Sequence, residues 1–159
     1  MLTTQERQDM IARMRKLPEM LEAAVKGLND QQLDTSYGEG KWTVRQVVHH
    51  VAEAHLMAFA RVKIALTEDK PALPMYDQVK WTELPDARLA PIAPSLGIIR
   101  ALHERWCGLW AMLPADAWQR GSVHARRGEM TIDDLLVLYA DHGDKHVAQI
   151  VGLRAAKGW

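Results

Sequence analysis

Four long stretches of this chain repeat apolar residues every three or four positions, the spacing that lines up one face of an α-helix and gives a β-strand no inner side. In the first, Met10, Ile11, Met14, Leu17, Leu21, Ala24, Val25 and Leu28 predict a helix over residues 4–28, kinked at Pro18. The second stripe, Val44, Val47, Val48, Val51, Phe59, Val62 and Leu66, predicts 43–66. Its start is marked twice: Thr43 and Gln46 have the spacing of a capping box, and Trp42 and Val47 that of a hydrophobic staple. A third helix over 95–113 follows Pro94, carries Ile99, Leu102, Trp106, Leu109, Trp110 and Leu113, and stops before Pro114. The fourth, over 131–156, opens on Thr131 and Asp134 and carries Ile132, Leu135, Leu138, Tyr139, Ile150 and Leu153. Together they claim roughly 60% of the chain, far above the helical third of an average domain. The expected fold is all-α, one four-helix bundle over residues 1–159. Between helices two and three lie nearly thirty residues with five of the seven prolines, which suits a long crossover rather than a tight turn. Residues 120–123 and 129–132 flank Ala125-Arg126-Arg127-Gly128 and predict a small hairpin.

Charge and cysteine content narrow the function. Twenty basic and twenty acidic side chains cancel, with no basic cluster, which argues against nucleic acid or an anionic lipid surface as partner. No uncharged stretch is long enough to span a bilayer, and residues 1–15 lack the apolar run of a secretory signal, so a cytoplasmic protein is expected. Cys107 is the single cysteine, so neither an internal disulfide nor a cysteine zinc cluster can form. Any metal must be held by histidine and carboxylate.

The histidines are placed where that matters. His142 and His146 fall inside the apolar stripe of helix four, one turn apart on one face. Each buried imidazole needs partners for both nitrogens, at a cost of about 1–3 kcal/mol when one is left without. A shared metal meets that demand, and i, i+4 is the spacing that helical metal sites use. The glutamate that follows the first histidine in zinc proteases is absent. A third ligand must come from another helix, and helix two offers His49, His50 and His55. His55 sits in the middle of the valine stripe, as a satisfied core histidine would; His50 is at its edge and His49 on the far side. Spacing does not choose among them.

Residues 37–55, with Trp42-Thr43-Val44-Arg45-Gln46 and the His49-His50 doublet, resemble the YfiT branch of the DinB/YfiT family. So do Arg61-Val62-Lys63, Pro74-Met75-Tyr76-Asp77, Trp81-Thr82-Glu83-Leu84, His103-Glu104-Arg105-Trp106, Leu138-Tyr139 and Gly158-Trp159, which carries the resemblance over nearly the whole chain. The resemblance implies a four-helix bundle, often a homodimer. It also implies one divalent metal ion bound by the second histidine of the doublet, His50, and by His142 and His146, with water in the open positions. One departure lies between the paired ligands, where members close to this branch carry more histidine and this chain has Gly143, Asp144 and Lys145.

Three neutral imidazoles with an open position are the layout of a catalytic site, since a structural zinc is usually closed by four protein ligands. A divalent ion there can activate water or hold a thiol as thiolate. The resemblance implies both chemistries: a hydrolase acting on a small molecule through metal-bound water, or a transferase of a low-molecular-weight thiol such as bacillithiol. A non-catalytic metal-binding stress protein is the reading from another class. Zinc or nickel is the expected ion, with iron or cobalt next. Ligation requires neutral histidines, which at the ordinary imidazole pKa predicts loss of metal below about pH 6. Elsewhere, Glu53 reads as a solvated glutamate, Tyr139 as a core tyrosine, Trp106, Cys107 and Trp110 as packing, and Arg126-Arg127 and Glu68-Asp69-Lys70 as solvated loops.

Overall fold

Three of the four long helices begin on reciprocal caps. Thr3, Thr43 and Thr131 each accept the backbone N–H three residues on, while Glu6, Gln46 and Asp134 reach back to the cap. In the computed structural model, which describes residues 1–159, these helices are α1 (Thr4–Val25), α3 (Val44–Thr67) and α7 (Ile132–Lys157). The fourth, α6 (Ala93–Met112), has no side-chain cap and takes Pro94 into its first turn, where the missing N–H would have no partner in any case. It therefore starts two residues earlier than periodicity placed it. α1 stops three residues short of expectation because Gly27 turns left-handed at φ +79°, so Leu28 packs on the core from outside the helix.

The crossover is less bare than its prolines suggested. It holds α4 (Gln78–Thr82), capped by Asp77 on the amides of Val79 and Lys80, and α5 (Pro85–Leu89), both laid on α3. A further turn, α2 (Asp30–Leu33), precedes α3. Helices of four or five residues are too short to show a period, which is why the sequence did not announce them. The hairpin forms as β1 (Gly121–His124) and β2 (Gly128–Thr131), with Gly121 opposite Thr131, and Val123 ties it to the crossover through Pro71 and Leu73.

α1 packs on α6 and α7, and α3 packs on the same two, so the first two long helices stand across the diagonal of the bundle. The long connection before α6 joins α3 to a helix that packs against it. No helix is long and apolar enough to cross a membrane.

The core divides in two. One cluster gathers Met14, Trp106, Trp110, Ile132 and Leu135, the other Leu17, Leu21, Val47, Val48, Ile99 and Ile150. On every long helix the boundary between them falls at the same level: after Met14 on α1, and around His55 on α3, His103 on α6 and His142 on α7. A layer of imidazoles thus separates the two apolar clusters.

Close approach of α1 and α7 next to this layer explains Gly143. A Cβ there would overlap the Cδ2 methyl of Leu17 and stand 2.9 Å from Cδ1, with Leu17 itself buried. Gly143→Ala should gain about 1 kcal/mol of helix propensity and lose about 1–3 kcal/mol to overpacking. A net loss, read as a lower thermal midpoint, is expected; a raised midpoint would show that Leu17 moves freely.

Candidate metal centre

α3 and α7 meet at the polar layer, and there His50, His142 and His146 converge. Their ring centroids are 4.5–5.3 Å apart, and each offers one nitrogen such that all three lie within 4.8 Å of one another. His50 and His146 are buried and His142 is half-buried, with the Trp42 ring 4.6 Å from His50. Burial, more than any neighbouring charge, holds these rings neutral: it pushes His50 down to about 3, His146 to about 4, and His142 well below the ordinary imidazole value. Neutral imidazole is the form that ligates.

Hydrogen bonds decide which nitrogen carries the lone pair. His146 Nδ1 donates to Gln149 Oε1 at 2.8 Å, which leaves Nε2 free. His142 is set by a longer chain that begins in α1. Pro18 has no N–H to give the carbonyl of Met14, and His103 Nδ1 donates to that oxygen instead, at 2.7 Å. A carbonyl only accepts, so a neutral His103 must accept at Nε2, where His55 Nδ1 lies 2.7 Å away. His55 in turn must accept at Nε2 from His142 Nδ1, at 3.1 Å. The chain ends with the lone pair of His142 on Nε2, which faces His50 Nε2 at 3.2 Å. His55 and His103 are both buried and both held neutral chiefly by burial, as this ordering requires.

The two histidines of the doublet face different ways. His49 points elsewhere, with Nε2 donating to the Ala90 carbonyl and Nδ1 accepting from Ser95, while His50 faces α7. His55 is the satisfied core histidine that its place in the stripe suggested, though its partners are two other histidines. His103 figures in the sequence only as part of the family resemblance, yet it falls on the stripe of Ile99, Trp106 and Trp110, the same placement that marks His142 and His146 on helix four.

Beside the three histidines opens a cavity of about 550 Å³. Trp42, Tyr76 and Tyr139 give it aromatic walls, and the buried Arg61 and His124 also face it. Tyr139 is a core residue with a polar end in this space: its hydroxyl accepts from Arg61 Nη1 at 3.2 Å and keeps its own proton to give. Arg126 and Arg127, read as solvated loop, are exposed but line the mouth, as does Lys145. No aspartate, glutamate or cysteine lines the cavity. Glu53 does not reach it; one carboxylate oxygen is buried without a partner, and burial raises its pKa. Cys107, Trp106 and Trp110 pack in the first cluster as expected, with burial raising the thiol pKa and disfavouring the nucleophilic thiolate.

A family model of the DinB superfamily matches residues 13–150. The chain belongs to this superfamily. Among its DinB relatives, a Geobacillus thermodenitrificans protein named "Putative metal-dependent hydrolase" is 47% identical over 152 residues, 95% of this chain and 85% of that one. The structure of YfiT from Bacillus subtilis, described as a probable metal-dependent hydrolase with an unusual four-helix bundle topology, superposes with a TM-score of 0.98 at 37% identity. It matches 100% of this chain and 91% of its own. A mycothiol-dependent maleylpyruvate isomerase shares the fold at a TM-score of 0.62 and 20% identity, over 94% of this chain and 63% of that one.

Partners that orient a ligand imidazole typically change metal affinity 10–100-fold when removed. His103→Phe, which leaves His55 Nδ1–H without an acceptor, should therefore weaken zinc binding by about that factor in a chelator competition, with helicity retained. His103→Gln, which can still accept, should recover part of it. Equal affinities in all three proteins would detach the histidine chain from the site.

Proposed function

We propose that this chain is a metal-dependent hydrolase of small molecules, with one zinc or nickel ion held by His50, His142 and His146. The observation that carries this reading is the convergence of three neutral imidazoles on a cavity that offers no carboxylate or thiolate to close the coordination. The donor set fits such an ion: the hydrogen bonds to Gln149 and His55 free Nε2 of His146 and of His142. An ion bound there lowers the pKa of water from about 15.7 toward about 7 and so supplies a nucleophile at neutral pH. Around it the protein positions and shields. Trp42 covers the His50 side, and the Tyr139 hydroxyl, a turn before His142, can donate to a carbonyl or leaving-group oxygen in the cavity.

The test is a hydrolysis screen on protein loaded with zinc or nickel, using p-nitrophenyl esters and phosphoesters. Turnover should vanish on chelation while the helical circular dichroism persists, and return when the ion is restored. Activity that survives complete chelation would overturn the reading. Consumption of a thiol and an electrophile without hydrolysis would replace it with thiol transfer.

A further inference from the structure

Of the two buried arginines in the chain, Arg45 lies on the carboxylates of Asp30 and Asp34, whereas Arg61 has no carboxylate. Its Nε donates to the Pro74 carbonyl at 2.8 Å, Nη1 to the Tyr139 hydroxyl, and Nη2 to the Met75 sulfur at 3.7 Å. A guanidinium has five N–H groups, so two are left over, one on each terminal nitrogen, and a guanidinium can meet an oxyanion through two such groups in a bidentate pair. The side chain is 6% exposed, held in place by these contacts and by the Tyr76 ring, 5.8 Å from its carbon. A buried charge without a counter-charge is unfavourable, and the fold keeps one at the wall of the cavity beside the three histidines.

The rest of that wall has the same sign. Arg126 and Arg127 at the hairpin turn and Lys145 on α7 line the mouth, with no acidic residue among the lining groups. His124 adds a donor: its Nδ1 accepts the Arg126 amide at 3.2 Å, which leaves Nε2–H for the cavity. Three neutral imidazoles also leave the charge of a divalent ion unbalanced. From this we propose that the cavity takes a small organic anion whose carboxylate or phosphate group sits on Arg61, with Arg126, Arg127 and Lys145 drawing it in. This inference names the substrate class of the hydrolase proposed above and rests on that reading for the reacting end of the molecule. The anion site itself requires no metal. A cavity of about 550 Å³ is in the ~300–1,000 Å³ range of small-molecule sites. Tyr76 and Leu138 offer it an apolar surface for the remainder of the ligand.

Calorimetric titration with succinate, phenyl phosphate and the neutral succinamide separates the possibilities, run on both metal-free and zinc-loaded protein with metal content measured in each. One or both anions should bind, at least tenfold tighter than succinamide, with affinity falling as salt rises; which of the two binds tighter tells carboxylate from phosphate. Arg61→Gln should weaken the anion at least tenfold while the zinc content is unchanged. Because that change is buried, Arg127→Ala with Lys145→Ala serves as the exposed control, expected to weaken the anion several-fold and flatten the salt dependence. Succinamide binding as tightly as succinate, or an anion affinity indifferent to both sets of substitutions, would overturn the proposal. Failure to load zinc in a protein that still binds the anion through Arg61 would count against the metal reading alone.

Discussion

Replacing His142 by alanine should lower the affinity for zinc or nickel by two to three orders of magnitude and leave the bundle folded. Structural zinc sites gain about 10–16 kcal/mol from four ligands, so one imidazole is expected to carry on the order of 2.5–4 kcal/mol. The fold should not depend on that term, because the two apolar clusters lie on either side of the histidine layer. His50→Ala and His146→Ala should behave alike. His49→Ala is the control within the doublet, one residue from a proposed ligand but bonded to Ser95 and Ala90, and should keep full affinity. Metal content and chelator competition read the affinities, and circular dichroism reads the fold. Unchanged binding in the His142 variant would remove it from the ligand set. Unfolding of the wild-type protein on chelation would mark the ion as structural and end the case for catalysis.

The residues that could be read in the sequence are those whose signal is local. Thr43 with Gln46 and Thr131 with Asp134 form the capping boxes that their spacing announced, since a cap involves residues three apart. The paired histidines of α7 were legible for the same reason. His50 was not separable from His49 by spacing, because the difference between them lies in what stands opposite: Ser95 and Ala90 for one, α7 for the other. The chain from Met14 through His103 and His55 to His142 involves all four long helices. Nothing in any one helix shows it, although Pro18 and the three histidines were visible separately. Arg61 was likewise seen as part of a family motif and not as a charge, because the absence of a carboxylate partner is a fact of packing. Arg126 and Arg127 looked like loop residues and are exposed, but the tie from Val123 to Pro71 and Leu73 brings their turn over the cavity.

Acidification from pH 7 to about 4.5 should destabilise the metal-free protein strongly. In the unfolded chain a histidine takes up its proton near pH 6.5. In the folded chain burial delays this to about 3 for His50 and about 4 for His146, and holds His55 and His142 well below the ordinary value. Between those limits the unfolded state binds more protons, so stability is complete above about pH 6.5 and drains away as the pH falls. At pH 4.5 the separation is two pH units for His50 and His146 alone, which amounts to roughly 3 kcal/mol each. That total rivals the ~5–15 kcal/mol net stability of an ordinary domain. Glu53, raised by burial, is relieved by protonation and offsets a small part. Because the folded ligands stay neutral, the protein should retain its ion at pH 5, lower than the limit of about 6 set by an unperturbed histidine. Bound ion also stabilises the folded state by mass action, so the loaded protein should unfold at a lower pH than the metal-free one. Urea melts between pH 7 and 4.5, with and without zinc, measure both effects. A metal-free stability that stays level over this range would mean that the histidine layer is hydrated and open, and the neutral, ordered chain from Met14 to His142 would fall with it.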